Sequence, residues 1–351
     1  MVKRVFFLGA GFSKAIDEDY PLLKSLSEEI IPKIDNQPVS SHYYELSNLM
    51  DKDVESLLTY LSTNFPWKDD VTRYEHLALY EALVNQIVGK FRSLAKEDTQ
   101  QSFPDYLIKF SQELFSGQHE YKFITTNYDT LLESLILREI KYFDNYSKLY
   151  CYPIAYLASR SPSGAFGFAH IDDKNVDRLP PILKLHGSAN WFWSGLSPSD
   201  TIYLGSCSST DLLMYKGLKP YIIPPVMDKN AFYNHIVIHS LWADAHRFIN
   251  DADEIYIIGF SFPPTDLSVK FLFQSALRLK STDPRNVKEP ISIYVVNTAK
   301  PDEKTEDKNG TLRERYERVF NEKIFPLDYQ FCGKDNALEC LIREKILEEK
   351  V

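Results

Sequence analysis

The chain alternates between short apolar runs, typical of buried strands, and longer segments in which apolar residues recur with helical spacing. The apolar runs predict strands at residues 5–8, 123–124, 149–152, 182–185, 202–204, 221–223, 255–258 and 291–296. Strands that alternate with helices in this way are typical of parallel sheets. The pattern therefore predicts an α/β fold, a Rossmann-like parallel sheet with helices on both faces.

A long helical stretch interrupts this alternation between residues 53 and 117. Asp53 is placed to cap a first helix, Pro104 starts a third one, and Gly117 ends it. The apolar stripes of these helices indicate packing rather than chemistry. We predict a single domain with a core of residues 1–35 and 119–300, a helical insertion at about residues 40–118 and a C-terminal helical closure at 301–351.

The first predicted strand runs directly into a glycine-rich turn, Gly9-Ala10-Gly11-Phe12-Ser13. Backbone N–H groups in such a turn, where a helix begins, can bind an anion such as a nucleotide phosphate. The full dinucleotide fingerprint has Gly or Ala where this chain has Lys14, so a plain tight turn explains the segment equally well. Both interpretations stay open on these residues alone.

His186 ends an apolar run and is followed at once by Gly187 and Ser188. At the carboxyl end of a strand, an imidazole with an ordinary pKa of about 6.5 is placed for general-base catalysis near neutral pH. The alternative is a packed, hydrogen-bonded core residue, which is the usual role of a single His in an apolar segment.

Polar residues follow at least four predicted strands, at residues 9–13, 125–129, 186–188 and 259–261, with Asn297 after a fifth. Asn127 and Asp129 have a simpler explanation as turn and N-cap residues. If the strands are parallel neighbours, however, all these clusters share the sheet edge where doubly wound folds bind ligands. The sequence therefore predicts one site at that edge.

Charge and cysteine content exclude several classes of protein. A net charge of −9 argues against nucleic acid as the main partner. The four cysteines, Cys151, Cys207, Cys332 and Cys340, contain no CxxC pair, so we predict reduced thiols and no metal site. No run of about 18 uncharged apolar residues occurs, and we predict a cytoplasmic protein without membrane contact.

The chain resembles the Sir2 superfamily in five short segments that occur in the family's order: GAGFS, TTNYD, LHGS, GFS and VVN. More narrowly, its helical insertion and the segments KLHGSANW and IIGFSFPPTD are similar to Sir2-like NAD-consuming domains of bacterial antiphage defence systems. The resemblance implies that NAD is the substrate.

The resemblance also implies roles for individual residues. Asn127 would be a principal catalytic residue that flanks the nicotinamide ribose together with Asp129, and His186 would be the base. Ser261 would contact phosphate or ribose, and Asn297 the adenosine ribose. The complete set of NAD-binding residues that it implies is Gly9, Ala10, Gly11, Ser13, Thr126, Gly259, Ser261 and Asn297, of which the first four would hold the pyrophosphate.

The chain departs from protein-deacylating sirtuins in three places. It lacks the pairs of CxxC that form their zinc module, it reads IDEDYPLLKSL where they carry an Asp-Phe-Arg motif, and Thr126 replaces the Gln before their Asn. These departures put deacylation in doubt and leave NAD binding untouched.

Hydrolysis of NAD to nicotinamide and ADP-ribose is the leading hypothesis. In NAD the nicotinamide is a cationic ring, and it leaves the ribose as a neutral molecule. The reaction therefore needs a positioned water and no strong general acid. The alternatives are an NAD-dependent protein deacylase or ADP-ribosyltransferase, and a non-catalytic module that senses NAD or ADP-ribose. The helical insertion and the aromatic fraction of 14% predict a homo-oligomer or a stable hetero-complex. The resemblance implies that the partner in such a complex would be a separately encoded defence protein.

Overall fold

The computed structural model describes residues 1–34, 48, 50–95, 102–138, 149–150, 155–156, 179–197, 199, 201–205, 217–282, 291–304, 310–321 and 324–348. Within these residues the strands are β1 Lys3–Leu8, β2 Glu120–Thr125, β3 Ala155–Tyr156, β4 Ile182–Lys184, β5 Gly187–Trp193, β6 Tyr203–Leu204, β7 Lys219–Ile222, β8 Glu254–Ile258, β9 Ser292–Asn297 and β10 Leu327–Cys332. The main sheet has the order β10-β9-β8-β1-β2-β4, and all its pairs are parallel. This confirms the predicted α/β, Rossmann-like fold.

Helices connect these strands, and several lie between β1 and β2. Within the described residues the helices are α1 Ala10–Ile16, α2 Leu23–Ile34, α3 Val54–Ser62, α4 Asp70–Leu94, α5 Asp105–Glu113, α6 Leu131–Leu137, α7 Asn230–Tyr233, α8 Ile236–Asp251, α9 Leu267–Thr282, α10 Leu312–Glu317 and α11 Ala337–Leu341, followed by one π-helical turn at Ile342–Ile346. Asp53 caps α3 as predicted, because its side chain accepts a hydrogen bond of 2.8 Å from the Ser56 N–H. In the described ranges, no helix combines the length and apolar character that crossing a bilayer requires.

The central strand β1 is buried on both faces, which explains its continuous apolar run. Its Phe6 pairs in register with Phe123 on β2 and with Tyr256 on β8, and Tyr256 pairs with Tyr294 on β9. The four rings form a row with centroid distances of 5.2, 4.7 and 4.9 Å. Each such ring pair adds about 0.5–1.5 kcal/mol beyond the burial of its surface. Contacts across neighbouring strands therefore hold the registers that align the strand ends.

The strand order reverses direction at β1. From β1 the chain crosses to β2 and β4 on one side, and later it returns to β8, β9 and β10 on the other side. In open α/β sheets the crevice at such a reversal, outside the carboxyl ends of the strands, is where ligands bind. The turns after β1 and β8 meet at this point.

Several local expectations differ from the structure. β5, β6, β7 and β3 form a second, four-stranded sheet, so the strands predicted at 202–204 and 221–223 do not join the main sheet. The strand predicted at 182–185 ends at Lys184, and Leu185 and His186 form the turn before β5, which begins at Gly187 and pairs with β6 and β7. β10 was not predicted at all, since Leu327–Cys332 lacks a continuous apolar run and is largely half-buried at the sheet edge.

Residues 149–152 were predicted as a strand. The structure shows a single parallel bridge between Tyr150 and Ile182, while residues 151–152 lie outside the described residues. The loop predicted at 159–176 lies outside them as well.

Candidate active site

Strand register brings the predicted site residues to one edge of the main sheet. Leu8 at the end of β1 pairs with Thr125 on β2 and with Ile258 on β8. Thr125 in turn pairs with Lys184 on β4, and Ile258 with Val296 on β9. The residues that follow these positions, namely Gly9, Thr126, Asn127, His186, Gly259 and Asn297, therefore lie along the same carboxyl edge.

The glycine-rich turns after β1 and β8 pack directly against each other. The N–H of Gly9 donates to the Ile258 carbonyl at 2.9 Å, and the N–H of Gly11 donates to the Gly259 carbonyl at 3.0 Å. A Cβ on Gly11 would lie 2.7 Å from the Gly259 Cα, and a Cβ on Gly259 would lie 2.3 Å from the Phe12 backbone nitrogen. Glycine is thus required here for the approach of two protein backbones, independently of any ligand.

Ser13, Asn127 and Asp129 form a hydrogen-bonded network between the loops after β1 and β2. The Ser13 hydroxyl donates to Asp129 Oδ2 at 2.7 Å, and the Asn127 amide Nδ2 donates to the Gly9 carbonyl at 2.9 Å and to Ser13 Oγ at 3.0 Å. Ser13 and Asp129 are buried, whereas Asn127 is half-buried. Asn127 is therefore the member of the network that is placed to meet a ligand.

Asp129 holds the loop after β2 in shape. Its second carboxylate oxygen, Oδ1, accepts a hydrogen bond of 3.2 Å from the Leu131 N–H at the start of α6. Both carboxylate oxygens thus have protein donors, as the turn interpretation of Asp129 requires. Because Ser13 donates to Asp129 and accepts from Asn127, the Asp129 carboxylate also helps to fix the Asn127 amide.

The sequence pattern does not mark Lys184 as a site residue, although this charged residue stands in the apolar run ILKL. Its side chain is fully buried; Nζ lies 3.0 Å from Glu133 Oε1 and also donates to the Asp129 carbonyl. Glu133 Oε1 accepts a further hydrogen bond of 2.8 Å from the Tyr150 hydroxyl. The signal in the sequence that could have identified Lys184 is its charge inside a buried strand, because such a charge must be paired in the fold.

His186 lies in a second group of residues, beside the network of Asn127. Its side chain is buried, with Nε2 4.0 Å from Asp266 Oδ1 and the ring centroid 6.2 Å from that of Trp242. Within the described part of the chain, Nε2 has no hydrogen-bond partner. Burial lowers the pKa of His186 to about 4, against an opposing effect of the Asp266 carboxylate. The imidazole is therefore neutral near pH 7 and can accept a hydrogen bond.

This burial predicts a pH-dependent stability. Folding favours the neutral form of His186. Its contribution to the free energy of unfolding is therefore complete above the pKa of the unfolded chain, about 6.5, and is lost as the pH falls towards about 4. Replacing His186 by Gln removes this titration. Between about pH 7.5 and pH 5 the variant should therefore lose about 2 kcal/mol less unfolding free energy than the parent protein does. Urea unfolding at both pH values measures it.

The matched control is His239→Gln, which alters an exposed His on α8. This variant should keep the parent's dependence on pH. An equal slope for His186→Gln and the parent protein would show that the imidazole is not buried as described.

The remaining predicted residues differ in their surroundings. Ala10 is exposed at the start of α1, and Thr126 and Ser261 are half-buried at the same edge. Ser261 is followed by Phe262, whose φ of 49° lies in the left-handed region and whose ring packs on Phe273 and Tyr316. A bulky residue in this conformation costs about 1–3 kcal/mol, so packing must hold the loop of Ser261 in place.

Asn297 lies farther from the centre of the site, since β9 is separated from β1 by β8. Its side-chain oxygen accepts a hydrogen bond of 3.0 Å from the Ala299 N–H, and its carbonyl accepts one of 3.0 Å from Gly333. The structure thus gives Asn297 a role in the turn after β9. Its predicted contact with the adenosine ribose stays a prediction.

Within the described ranges, no group of three or more His, Cys, Asp or Glu side chains is arranged to hold a metal ion. Cys332 and Cys340 are free thiols, and Cys151 and Cys207 lie outside these ranges.

The fold and the position of the site define an α/β protein with a Rossmann-like ligand crevice. Residues 122–320, more than half of the chain, match the SIR2-like domain family. The chain therefore belongs to that family.

Solved structures of low sequence identity are similar to the chain over most of its length. A Sir2 homologue in complex with NAD is 12% identical, with 97% of this chain and 88% of that chain covered and a TM-score of 0.45. A Sir2 homologue variant in complex with ADP-ribose is 13% identical, with 99% and 94% covered and a TM-score of 0.46. Among curated proteins, none matches the sequence.

Proposed function

We propose that this chain hydrolyses NAD to nicotinamide and ADP-ribose. The observation that carries the proposal is the neutral, buried His186, whose Nε2 has no partner in the described residues, on the sheet edge that also holds Asn127. Membership of the SIR2-like family supports NAD as the ligand. Hydrolysis replaces the bond between nicotinamide and the ribose by a bond to a water oxygen.

The residues of the site fit a dinucleotide in their donor and acceptor character. An unpartnered Nε2 on a neutral imidazole accepts a hydrogen bond from a hydroxyl group or from water, which is what a base requires. Asn127 presents its amide oxygen while Nδ2 is held by Gly9 and Ser13. Thr126 and Ser261 supply half-buried hydroxyl groups along the same edge, where Ala10 is exposed.

We assign the following roles to the chain's own residues. His186 takes the proton of the attacking water or of a ribose hydroxyl, and the buried position protects the imidazole from bulk solvent. Asn127 orients the ribose, and Ser13 and Asp129 keep the Asn127 amide in its orientation through the network of 2.7 and 3.0 Å hydrogen bonds. A fixed orientation is what catalysis by positioning requires.

The antiphage defence subtype is part of the proposal. It rests on the similarity of the segments KLHGSANW and IIGFSFPPTD. These two segments contain His186 and Asp266, which approach each other in the fold. The expected oligomer or partner complex belongs to the same proposal.

The proposal is tested by incubating the purified protein with NAD alone. Equal amounts of nicotinamide and ADP-ribose are expected, and in water enriched in oxygen-18 the label should enter the ADP-ribose. Asn127→Ala serves as the control and should lose activity while the protein stays folded.

Other outcomes identify the alternatives. Release of nicotinamide only after an acylated peptide is added would indicate a deacylase, and release only with another protein acceptor would indicate an ADP-ribosyltransferase. A sensing module would bind NAD in calorimetry and form no product. This result would have to hold with and without these acceptors and over a range of protein concentrations.

A further inference from the structure

Three charged side chains lie buried beside His186 without having been assigned any role. Lys229 and Asp266 are each only 7% exposed, and so is Glu55. They come from three separate segments: the residue before α7, the loop after β8, and the first turn of α3. Buried charges are costly unless they are paired, so their convergence at one place needs an explanation.

One oxygen atom of Asp266 connects the cation to the imidazole. Asp266 Oδ1 accepts a hydrogen bond of 2.9 Å from Lys229 Nζ, and the same oxygen lies 4.0 Å from His186 Nε2. Lys229 thus holds the carboxylate just beyond hydrogen-bonding distance from the imidazole. When Nε2 takes a proton, the imidazolium that forms therefore has this carboxylate at the distance of an ion pair.

The helical insertion reaches this group through Glu55. Burial raises the pKa of Glu55, while Lys229 and a hydrogen bond from Thr265, the residue before Asp266, act in the opposite direction.

The segment before α7 is hydrogen-bonded both to His186 and to the helical insertion. The Ile223 N–H donates to the His186 carbonyl at 2.8 Å, and the Met227 N–H donates to Thr59 Oγ1 on α3 at 3.0 Å.

We propose that Asp266 is a positioning residue for His186 and that Lys229, backed by Glu55 of the helical insertion, holds the Asp266 carboxylate in its working place. This inference rests on the proposed function of His186 as a base. Asp266 acts through the imidazole and is not assigned a contact with the substrate.

The two charges next to His186 must act on it with opposite signs. The Asp266 carboxylate favours a protonated imidazole and the Lys229 ammonium disfavours it. Among the described residues, Glu55, Tyr128 and Tyr233 also lie near enough to Asp266 to be affected by its charge. Removing Lys229 should therefore raise the pKa of His186, and removing the charge of Asp266 should lower it.

The experiment is an NMR titration of His186 in the full-length protein, which requires no substrate. The chain has eight His, and the signal of His186 is assigned by its absence in His186→Gln. In Lys229→Met the pKa of His186 should rise by about 1–3 units, because an uncompensated carboxylate then lies beside the imidazole. In Asp266→Asn no titration of His186 should be seen above about pH 4.

Lys219→Met is the matched control. Lys219 also pairs with a carboxylate, that of Glu81, but the two side chains are 56% and 55% exposed and lie away from this group. The titration of His186 should not change in this variant. A pKa of His186 that is the same in the parent, Lys229→Met and Asp266→Asn would overturn the proposal.

Turnover supplies the second measurement. In Lys229→Met the acid limb of the pH–rate profile should move to higher pH by the same amount as the NMR titration, with KM unchanged. If nicotinamide is not released by the parent protein, the proposed function fails, whereas the titration still decides the role of Asp266.

A double variant, Lys229→Met with Asp266→Asn, covers the case in which a single variant does not fold. It removes both members of the Lys229–Asp266 ion pair and leaves Glu55, whose pKa is raised by burial. The double variant should fold, its His186 should titrate like that of the parent, and its kcat should be about 10-fold lower or more at an unchanged KM. A double variant with the parent's kcat would overturn the proposal.

Discussion

His186→Ala is expected to lower the rate of nicotinamide release by about 10²- to 10⁴-fold, which is the usual contribution of a positioned acid or base. Its affinity for NAD, measured by calorimetry, should stay close to that of the parent protein. The reason is that His186 is buried at the sheet edge and that its Nε2 has no hydrogen-bond partner among the residues the structure describes, so this nitrogen serves proton transfer more than binding. Measuring both the rate and the affinity separates the contribution of His186 to catalysis from its contribution to NAD binding.

His239→Ala is the control, because this exposed His lies on α8. It should retain the parent's rate and affinity. A thermal melt of both variants shows whether the cavity left by the buried imidazole has loosened the fold. If folded His186→Ala releases nicotinamide at the parent rate, His186 is a packed core residue and the assignment of the base is wrong.

Gly259→Ala is expected to destabilise the protein by at least about 2 kcal/mol and to abolish NAD binding at the temperature of the assay. Gly259 has a φ of 64°, and an added Cβ would lie 2.3 Å from the Phe12 nitrogen and 2.4 Å from the Gly11 carbonyl carbon. Both are backbone atoms of the turn after β1, so the clash cannot be relieved by a side-chain rotation. The two turns at the crevice would have to separate.

Gly89→Ala provides the same substitution at a site without neighbours. Gly89 lies within α4, and nothing comes within 4 Å of an added Cβ there. Because Ala is the better helix former, this variant should be more stable by about 0.5–1 kcal/mol and bind NAD normally. Urea unfolding and calorimetry of both variants test the pair. Equal stability and affinity in Gly259→Ala and the parent would contradict the packing described here.

The main features of the fold could be predicted because their causes are local. A strand buried on both faces must be apolar throughout, as in Val5, Phe6 and Phe7, and helices that cover a sheet must repeat their apolar residues with helical spacing. Asp53 could be recognised as a helix cap for the same reason. The edge strand β10 could not, because a half-buried strand carries no continuous apolar run.

For the candidate site, the apolar runs already indicate which residues follow the buried strands. Gly9, Asn127, His186 and Gly259 are therefore expected to share one edge if those strands are neighbours. The contacts of each residue become visible only in the folded chain. Ser13 and Asp129 are 116 positions apart in the chain, and Lys229 and Asp266 are 37 apart, yet each pair is hydrogen-bonded. Such contacts depend on strand order and loop path, which the local alternation of apolar and polar residues does not contain. The same holds for Gly11, whose missing side chain suits a phosphate by sequence but is required in the fold by the backbone of Gly259.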